Sequence, residues 1–495
     1  MALGGWVVLA GLTAFLVPNI PVGAVRTSAA EGMAVGAVHM HTTASDGGGT
    51  INDLVDAAVV NGLDFIVVTD HNTVEPTRYE YRDGVLVIHA EEVSTTLGHV
   101  LMLDVDSVRA TEPDTADVRW GFQHHRDFGD AGALFAAHPN GRRWWLDRAA
   151  ETVDGMEIWN ADSEWRNDTV GDWMEALTLL PFRPSLAMLA LLDRPDRNLA
   201  LFDSAAVNRT VATTCAVDAH ARIDITDSWY IGFPSYPMTL ALVHQHVKLR
   251  APFSGDAEAD GRMLTASMVD GVGHCVVGGL ADDGAVRIQE VDGVLRVSVP
   301  DDIARPRIRV VRNGEVIAEE ETSNLEVPAT EPGMYRAEIE VRARLIRPRW
   351  FPWVLSGPIW VGPRPDDPPP WMLGTFEDDY GNRYEISEDR WVQEPDVVYE
   401  VERWTGSKSF VVARNADDNA SDPGLWTRID WVELDASSTA EGSEASGDDE
   451  WAWGFCLSTW NAGTFSQARA TETADRSQPR TGCGGFPFSR MRRVE

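Results

Sequence analysis

Residues 34–71 read AVGAVHMHTTASDGGGTINDLVDAAVVNGLDFIVVTDH. AVGAVHMH is a short β-branched apolar run and predicts a strand. INDLVDAAVVNGL spaces its apolar residues as one face of a helix, and DFIVVTDH returns to a strand. A strand, a helix and a second strand in that order imply parallel strands joined by a crossover helix. His39 and His41 fall at the end of the first strand, where residues i and i+2 share a face. With 12 His in 495 residues such a pair also arises by chance, so the rest of the chain must decide its meaning.

The alternation continues to about Leu280. GVLVIHAEEVS, HVLMLDV, ALFAAHP, GMEIWN and TCAVDAH are further strand signals separated by helix-compatible sequence. Polar residues recur at or just beyond the C-terminal ends of these runs: His39/His41, Asp70/His71, Glu92, His138, Glu157 and Asp218/His220. Active sites of α/β barrels are built there. His39, His41, Asp46, His71, Glu92, His99, His138, Asp218 and His220 form a set of nine candidate ligands. That is too many for one tetrahedral zinc and suits two or three ions sharing a bridging carboxylate. Mixed imidazole and carboxylate ligation favours zinc, manganese or iron over calcium or magnesium. Other histidines are assigned to structure: His124-His125 in a polar loop, His274, and His244/His246 in MTLALVHQHVKL, which reads as a helix where i and i+2 diverge.

From about Gly284 apolar and polar residues alternate, with Asp-Gly and Asn-Gly turns, predicting an immunoglobulin-like β-sandwich over 284–362. A proline-rich linker follows at 363–371. Residues 372–495 are again strand-like and rich in aromatics, predicting a small all-β barrel or sandwich; 437–450 (SSTAEGSEASGDDE) is an acidic loop. The fold class is therefore α/β, followed by two all-β domains.

The net charge of -35 opposes nucleic-acid and anionic-lipid partners. An anionic small-molecule substrate then needs a local cation, which a bound metal supplies. Trp6–Val25 holds 20 residues without a charge, an export signal or single membrane anchor over 1–30. No Lys or Arg precedes it, and an N-terminal strand and helix of the folded domain compete with that reading. Location is expected to be exported or envelope-associated, with cytoplasmic as the alternative. None of the four cysteines forms a CxxC, and Cys456 and Cys483 can pair as a disulfide in an exported protein. No nucleophile elbow or P-loop is present, so serine-hydrolase and NTPase readings lack support.

HMHTTASDGGGT, GLDFIVVTDHNT, HAEEVSTTLGH, AAHPN and VDAHA resemble, in order, the motifs of the PHP (polymerase and histidinol phosphatase) metal-dependent hydrolases. The likeness is strongest to the carbaryl-hydrolase-like branch, which also carries an EIWN-like stretch, a FPSY segment and a small β-domain ending in PW..S.PI. It covers roughly residues 32–362 and leaves 372–495 unassigned. The resemblance implies a distorted seven-stranded (β/α) barrel with a trinuclear centre. His39, His41, Glu92 and Asp218 would hold one ion, and Glu92 would bridge to a second held with His99 and His138. Asp46, His71 and His220 would hold the third. Glu91 competes with Glu92; the family's Gly-x-Glu favours Glu92, with Ala90 at the glycine position. Ala216-Val217 replaces the family's Gly-Ser, which alters pocket shape and removes no ligand. Asp70 is expected to orient a ligand imidazole, and Arg142 or Arg143 to reach a phosphate. The activity implied is hydrolysis of a phosphate ester by a metal-bridged hydroxide. Two alternatives remain: hydrolysis of a carbamate, ester or amide by the same centre, and an exported non-catalytic binding protein with a metal-stabilised barrel.

Overall fold

The structure is a computed structural model describing residues 32–104, 133–139, 153–434 and 451–494, with short interruptions at 74, 96–97, 168, 182–183, 227–228, 279, 281–285, 301–302, 304–305, 345–347 and 472. The expectations for the N-terminal apolar segment, His124-His125, Arg142, Arg143 and the acidic loop 437–450 lie outside the described residues. No described helix is long and apolar enough to cross a membrane. The chain divides into two compact units, the second taking the chain from Arg364 onward together with Asn208–Thr210.

In the first unit, β1 (Met33–Met40) leads into the helix Ile51–Asn61 and then β2 (Phe65–Val68). Thr50 and Asp53 cap the helix start reciprocally, and Gly62, at φ 69°, ends it. β1 and β2 pair in parallel, Gly36 opposite Phe65. A glycine is needed at 47, where a Cβ would sit 2.3 Å from the carbonyl oxygen of His41.

The other strands here are β3 (Tyr79–Arg82), β4 (Val85–His89), β5 (Glu91–Thr95), β6 (Gly98–Leu103), β7 (Ala133–Ala137), β8 (Gly155–Asn160) and β9 (Ala212–Ala219). After the hairpin β10 (Ile223–Thr226) and β11 (Trp229–Ile231) come β12 (Val243–Lys248) and β13 (Gly273–Val277). The run β4-β2-β1-β9-β8-β7 is parallel throughout. β5, β6 and β7 are joined antiparallel. Glu92 N–H donates to Asp70 O at 3.2 Å and Asn72 N–H to Glu92 O at 3.1 Å, so β5 also meets the chain leaving β2. Val38, Phe65, Val67, Leu86, Leu101 and Phe135 are buried in the core between these strands and the helix Ala257–Asp270.

Two expectations change here. MTLALVHQHVKL is not one helix: Tyr236–Leu240 is a short helix, and Val243–Lys248 is a strand lying between β1 and β13. The first five residues of this strand are all buried, so no period-2 alternation marks it in the sequence. Second, the strands after 284 are not all a separate body. β14 (Arg287–Val291), β15 (Val294–Ser298) and β18 (Asn324–Pro328) form a three-stranded sheet. β16 (Arg307–Arg312), β17 (Glu315–Glu321), β19 (Gly333–Arg344), β20 (Pro348–Ser356) and β21 (Ile359–Val361) instead extend the large sheet, through pairing of β20 with β13. A buried ion network reinforces this junction. Arg336 pairs with Asp203 at 2.7 Å, and Glu338 receives two bonds from Arg194, at 2.6 and 2.7 Å, and one from Arg309 at 2.7 Å.

The second unit is a closed barrel of eight strands, from Gly374–Asp378 round to Ser489–Arg493, each antiparallel to its neighbours. This resolves the barrel-or-sandwich expectation as a barrel. Eight strands leave an interior that side chains can fill, and Phe376, Trp391, Trp431, Trp453 and Met491 pack together in the core. Cys456 and Cys483 are bonded, and a second disulfide joins Cys215 to Cys275 in the first unit.

Candidate metal centre

β1 ends in a bulge. Its register with β9 slips between Val38 and Met40, and His39 takes φ 70°. Asp218, at the end of β9, has φ 49°, and His138, just after β7, has φ 29°. The left-handed region costs a residue with a side chain about 1–3 kcal/mol, and such residues gather where a site imposes its geometry. His39 and His41 therefore converge through a bulge that re-aims the chain, rather than through the simple alternation of a regular strand.

All nine candidate ligands come together, in four overlapping groups: His39/His41/Asp218, His39/Glu92/His138, His71/Glu92/His99 and His41/Asp46/His71/His220. Glu92, 1% exposed, is the hub. Its Oε2 lies 2.9 Å from His39 Nε2, 3.2 Å from His41 Nε2 and 3.4 Å from His71 Nδ1; its Oε1 lies 2.7 Å from His99 Nδ1 and 3.0 Å from His138 Nε2. Asp218 Oδ1 stands 3.4 Å from the Nε2 atoms of both His39 and His41. Asp46 Oδ2 stands 3.5 Å from His220 Nε2 and 3.7 Å from His71 Nε2. Glu91 is also buried, but its Oε1 has no hydrogen-bond partner among the described residues, and burial pushes its carboxyl up to about 7. Successive residues on a strand face opposite ways, so only one of the two glutamates can serve the centre.

The carboxylates and imidazoles of the cluster shift one another strongly toward their charged forms. Burial opposes protonation of His39, yet Asp218, Glu92 and Glu157 outweigh it and hold its pKa well above the ordinary value. Burial likewise opposes ionisation of Glu92, and the surrounding imidazoles, His39 foremost, hold its carboxyl well below the usual range. At His220 burial is overcome by the hydrogen bond to Asp46 and the charges of Asp218, Asp46 and Asp162, raising its pKa to about 9.

The donor set fits divalent ions by a direct test. Both ring nitrogens of His41, and Nδ1 of His71, are buried without a hydrogen-bond partner among the described residues. They approach carboxylates at 3.2–3.6 Å without hydrogen-bonding geometry. Buried polar atoms are rarely left so, and a shared cation between imidazole and carboxylate satisfies both.

Three residues outside the nine candidate ligands support the centre, of which the sequence marked Glu157 only by its strand-end position. Glu157 is fully buried; its Oε1 is 2.6 Å from His39 Nδ1, and its Oε2 accepts from His138 N–H at 2.6 Å. Asn160 Nδ2 donates to Glu157 Oε2 at 2.9 Å and Asp218 Oδ2 at 3.2 Å. An acid and an amide inside the apolar run GMEIWN were the available signal. Tyr236, in the FPSY segment, donates from its hydroxyl to His41 O at 2.7 Å. Contrary to expectation, Asp70 touches no imidazole among the described residues. Its carboxylate accepts from Thr42 N–H and Oγ1, both at 2.7 Å, and from Ser45 Oγ at 2.6 Å. It thus pins the loop between His41 and Asp46, because the chain after β2 runs beside that loop and not behind a ring. His244 and His246 stay outside the four groups: His244 Nε2 meets Leu240 O at 2.8 Å, and His246 stacks on His274 across β12 and β13.

A pocket of about 470 Å³ opens beside Asp46, Asp218 and His220. Trp173, Met188, Val217 and Leu242 supply much of its apolar wall.

No family model matches the chain, and no curated protein matches it in sequence. Among solved structures it is similar to a two-domain protein from Bacteroides vulgatus, described as containing a predicted PHP-like metal-dependent phosphoesterase. Identity is 13%, the TM-score is 0.32, and the likeness covers 68% of this chain and 97% of that one. The donor geometry, not that likeness, bears the functional reading. It gathers His, Asp and Glu donors into groups that could hold divalent ions, the kind of cluster on which metal-dependent hydrolases are built.

Proposed function

We propose that the chain is a metal-dependent phosphoesterase with two or three divalent ions, drawn from zinc, manganese and iron, at the strand ends. The observation that carries this reading is Glu92, whose two oxygens meet five imidazoles belonging to separate donor groups. In this reading His39, His41, Glu92 and Asp218 hold one ion, Glu92 with His99 and His138 a second, and Asp46, His71 and His220 a third. The strands β2, β1, β9, β8, β7, β6 and β5 are then a distorted seven-stranded (β/α) barrel, supported by the backbone bonds that tie β5 to the end of β2.

Ions held there would supply an activated water near neutral pH and neutralise charge on the phosphoryl oxygens. The chain's own residues do the positioning. Glu157 holds His39 by Nδ1 and leaves Nε2 facing Glu92 and Asp218. Asn160 ties Glu157 to Asp218, and Asp70 and Tyr236 fix both sides of the His41–Asp46 loop. The substrate is a small phosphate ester, which the adjoining pocket can house. Two disulfides support an oxidising compartment and so an exported protein.

The test is metal analysis of the purified chain with hydrolysis of methyl p-nitrophenyl phosphate, before and after chelation and after adding back zinc or manganese. Bound metal and chelator-sensitive turnover are expected. A metal-free protein that stays inert when zinc, manganese or iron is supplied overturns the reading.

A further inference from the structure

The donor groups are not equally enclosed. His39, His41 and Asp218 are at most 7% exposed, and Glu92 is as deeply buried. Asp46, the one carboxylate of its group, is 53% exposed, and the two imidazoles that its Oδ2 meets, His71 and His220, are 23% exposed each. Support from behind differs in the same sense. Glu157 holds His39, Asn160 donates to Asp218, and Glu92 meets five imidazoles. Asp46 has the hydroxyl of the adjacent Ser45 at 3.3 Å. A ligand carboxylate fixed by buried partners holds its orientation toward a metal, whereas one standing in water can turn away from it.

His41 and His71 lie between these two environments. His41 points Nε2 at Glu92 and Asp218, at 3.2 and 3.4 Å, and Nδ1 at Asp46, at 3.6 Å. His71 points Nδ1 at Glu92, at 3.4 Å, and Nε2 at Asp46, at 3.7 Å. The two rings stack, with centroids 4.6 Å apart. A neutral imidazole has one lone pair to give, and its other nitrogen carries the hydrogen. With the His41 lone pair given through Nε2 to the buried side, Nδ1 offers Asp46 an N–H and offers a metal nothing. The Asp46 group is then left with Asp46, His71 and His220 as ligands, all of them partly exposed. Asp46 and His220 also line the pocket of about 470 Å³, so water can reach this position from the pocket side.

We propose that the Asp46 group is an exchange position, which takes up and releases a divalent ion through the pocket while the ions around Glu92 stay in place. Loading of the centre would then follow the free metal of the surroundings. The inference rests on the metal centre of the phosphoesterase reading and not on its substrate.

The test follows zinc release from the zinc-loaded full chain into a chromophoric chelator. One equivalent is expected to leave about tenfold or more faster than the rest, the lower end of what a missing supporting partner costs a metal site. Asp46→Asn and His220→Gln should each lose the fast equivalent and keep the slow phase. When the parent is refilled with cobalt after its fast phase, elemental analysis should find one cobalt beside the retained zinc. A single phase that releases all the zinc, or a fast phase of more than one equivalent, overturns the proposal. So does a fast phase that survives in either variant, loss of the slow zinc in both, or cobalt uptake other than one equivalent. Hydrolysis of methyl p-nitrophenyl phosphate by the same samples separates the two readings. Two release phases without turnover keep the exchange position and sink the phosphoesterase; a chain that binds no zinc sinks both.

Discussion

Glu157 Oε1 lies 2.6 Å from Nδ1 of His39, with both side chains fully buried. The contact sets which nitrogen of His39 is free: Nδ1 is held from behind, and Nε2 faces Glu92 and Asp218. An outer carboxylate of this kind fixes the tautomer of a ligand imidazole and raises its basicity. Glu157→Gln keeps the size of the side chain and removes its charge. Metal affinity is expected to fall 10–100-fold, read by competition with a chromophoric chelator. A variant that binds metal as tightly as the parent would make Glu157 a packing residue only.

The two adjacent glutamates give a sharper contrast. Glu92→Gln removes a carboxylate that meets five imidazoles, whereas Glu91 faces away from them with an unpartnered oxygen. Glu92→Gln should lose at least one equivalent of bound metal together with activity. Glu91→Gln should retain its metal, because burial already favours the neutral form of that carboxyl up to about pH 7. Metal content by elemental analysis separates them, and loss of metal in Glu91→Gln alone would reassign the hub.

The legible part of this molecule was the strand-end chemistry. His39, His41, His71, His138, Asp218 and His220 each close an apolar run, and that placement is written locally. Their supports were not. Glu157 acts on a histidine 118 positions away, and no local pattern encodes such a pairing. The bulge at His39 was equally hidden, since it appears only as a register slip against β9. Strand β12 escaped because VHQHVK is buried on both faces and so shows no apolar–polar alternation, and it follows the apolar MTLAL without a break. The pairing of β20 with β13 joins residues about 80 positions apart, a separation the turn signals after Gly284 do not report.

Glu338 makes acid sensitivity a property of the fold around that junction. Burial opposes its ionisation, but the bonds from Arg194 and the charge of Arg336 bring its pKa down to about 2. A group depressed in the folded state stabilises it above its unfolded pKa and loses that contribution as pH falls through the folded value. Stability should therefore decline from about pH 4.5 toward pH 2. Glu338→Gln should cost about 3–5 kcal/mol near neutral pH, since it leaves buried guanidinium groups without their partner. Thermal melts from pH 7 to pH 3 check this: the difference between parent and variant should narrow as pH falls. A constant difference would mean that the loss is one of packing.

The barrel of the second unit offers a test of a different force. Cys456, buried on a barrel strand, is bonded to Cys483, 27 positions on, near the turn that precedes the closing strand. That strand pairs with both Gly374–Asp378 and Trp453–Ala462, so it closes the ring. The cross-link restricts the unfolded chain, and a loop of 27 residues corresponds to about 3.5 kcal/mol in the chain-entropy account. Replacing both cysteines by serine should lower barrel stability by that order while leaving metal content of the full chain unchanged. The readouts are the thermal transition by tryptophan fluorescence, to which Trp391, Trp431 and Trp453 in the barrel core contribute, and elemental analysis. Loss of metal in the double variant would show that the barrel's integrity feeds back on the strand-end site, and an unchanged melt would show that closure of the barrel needs no cross-link.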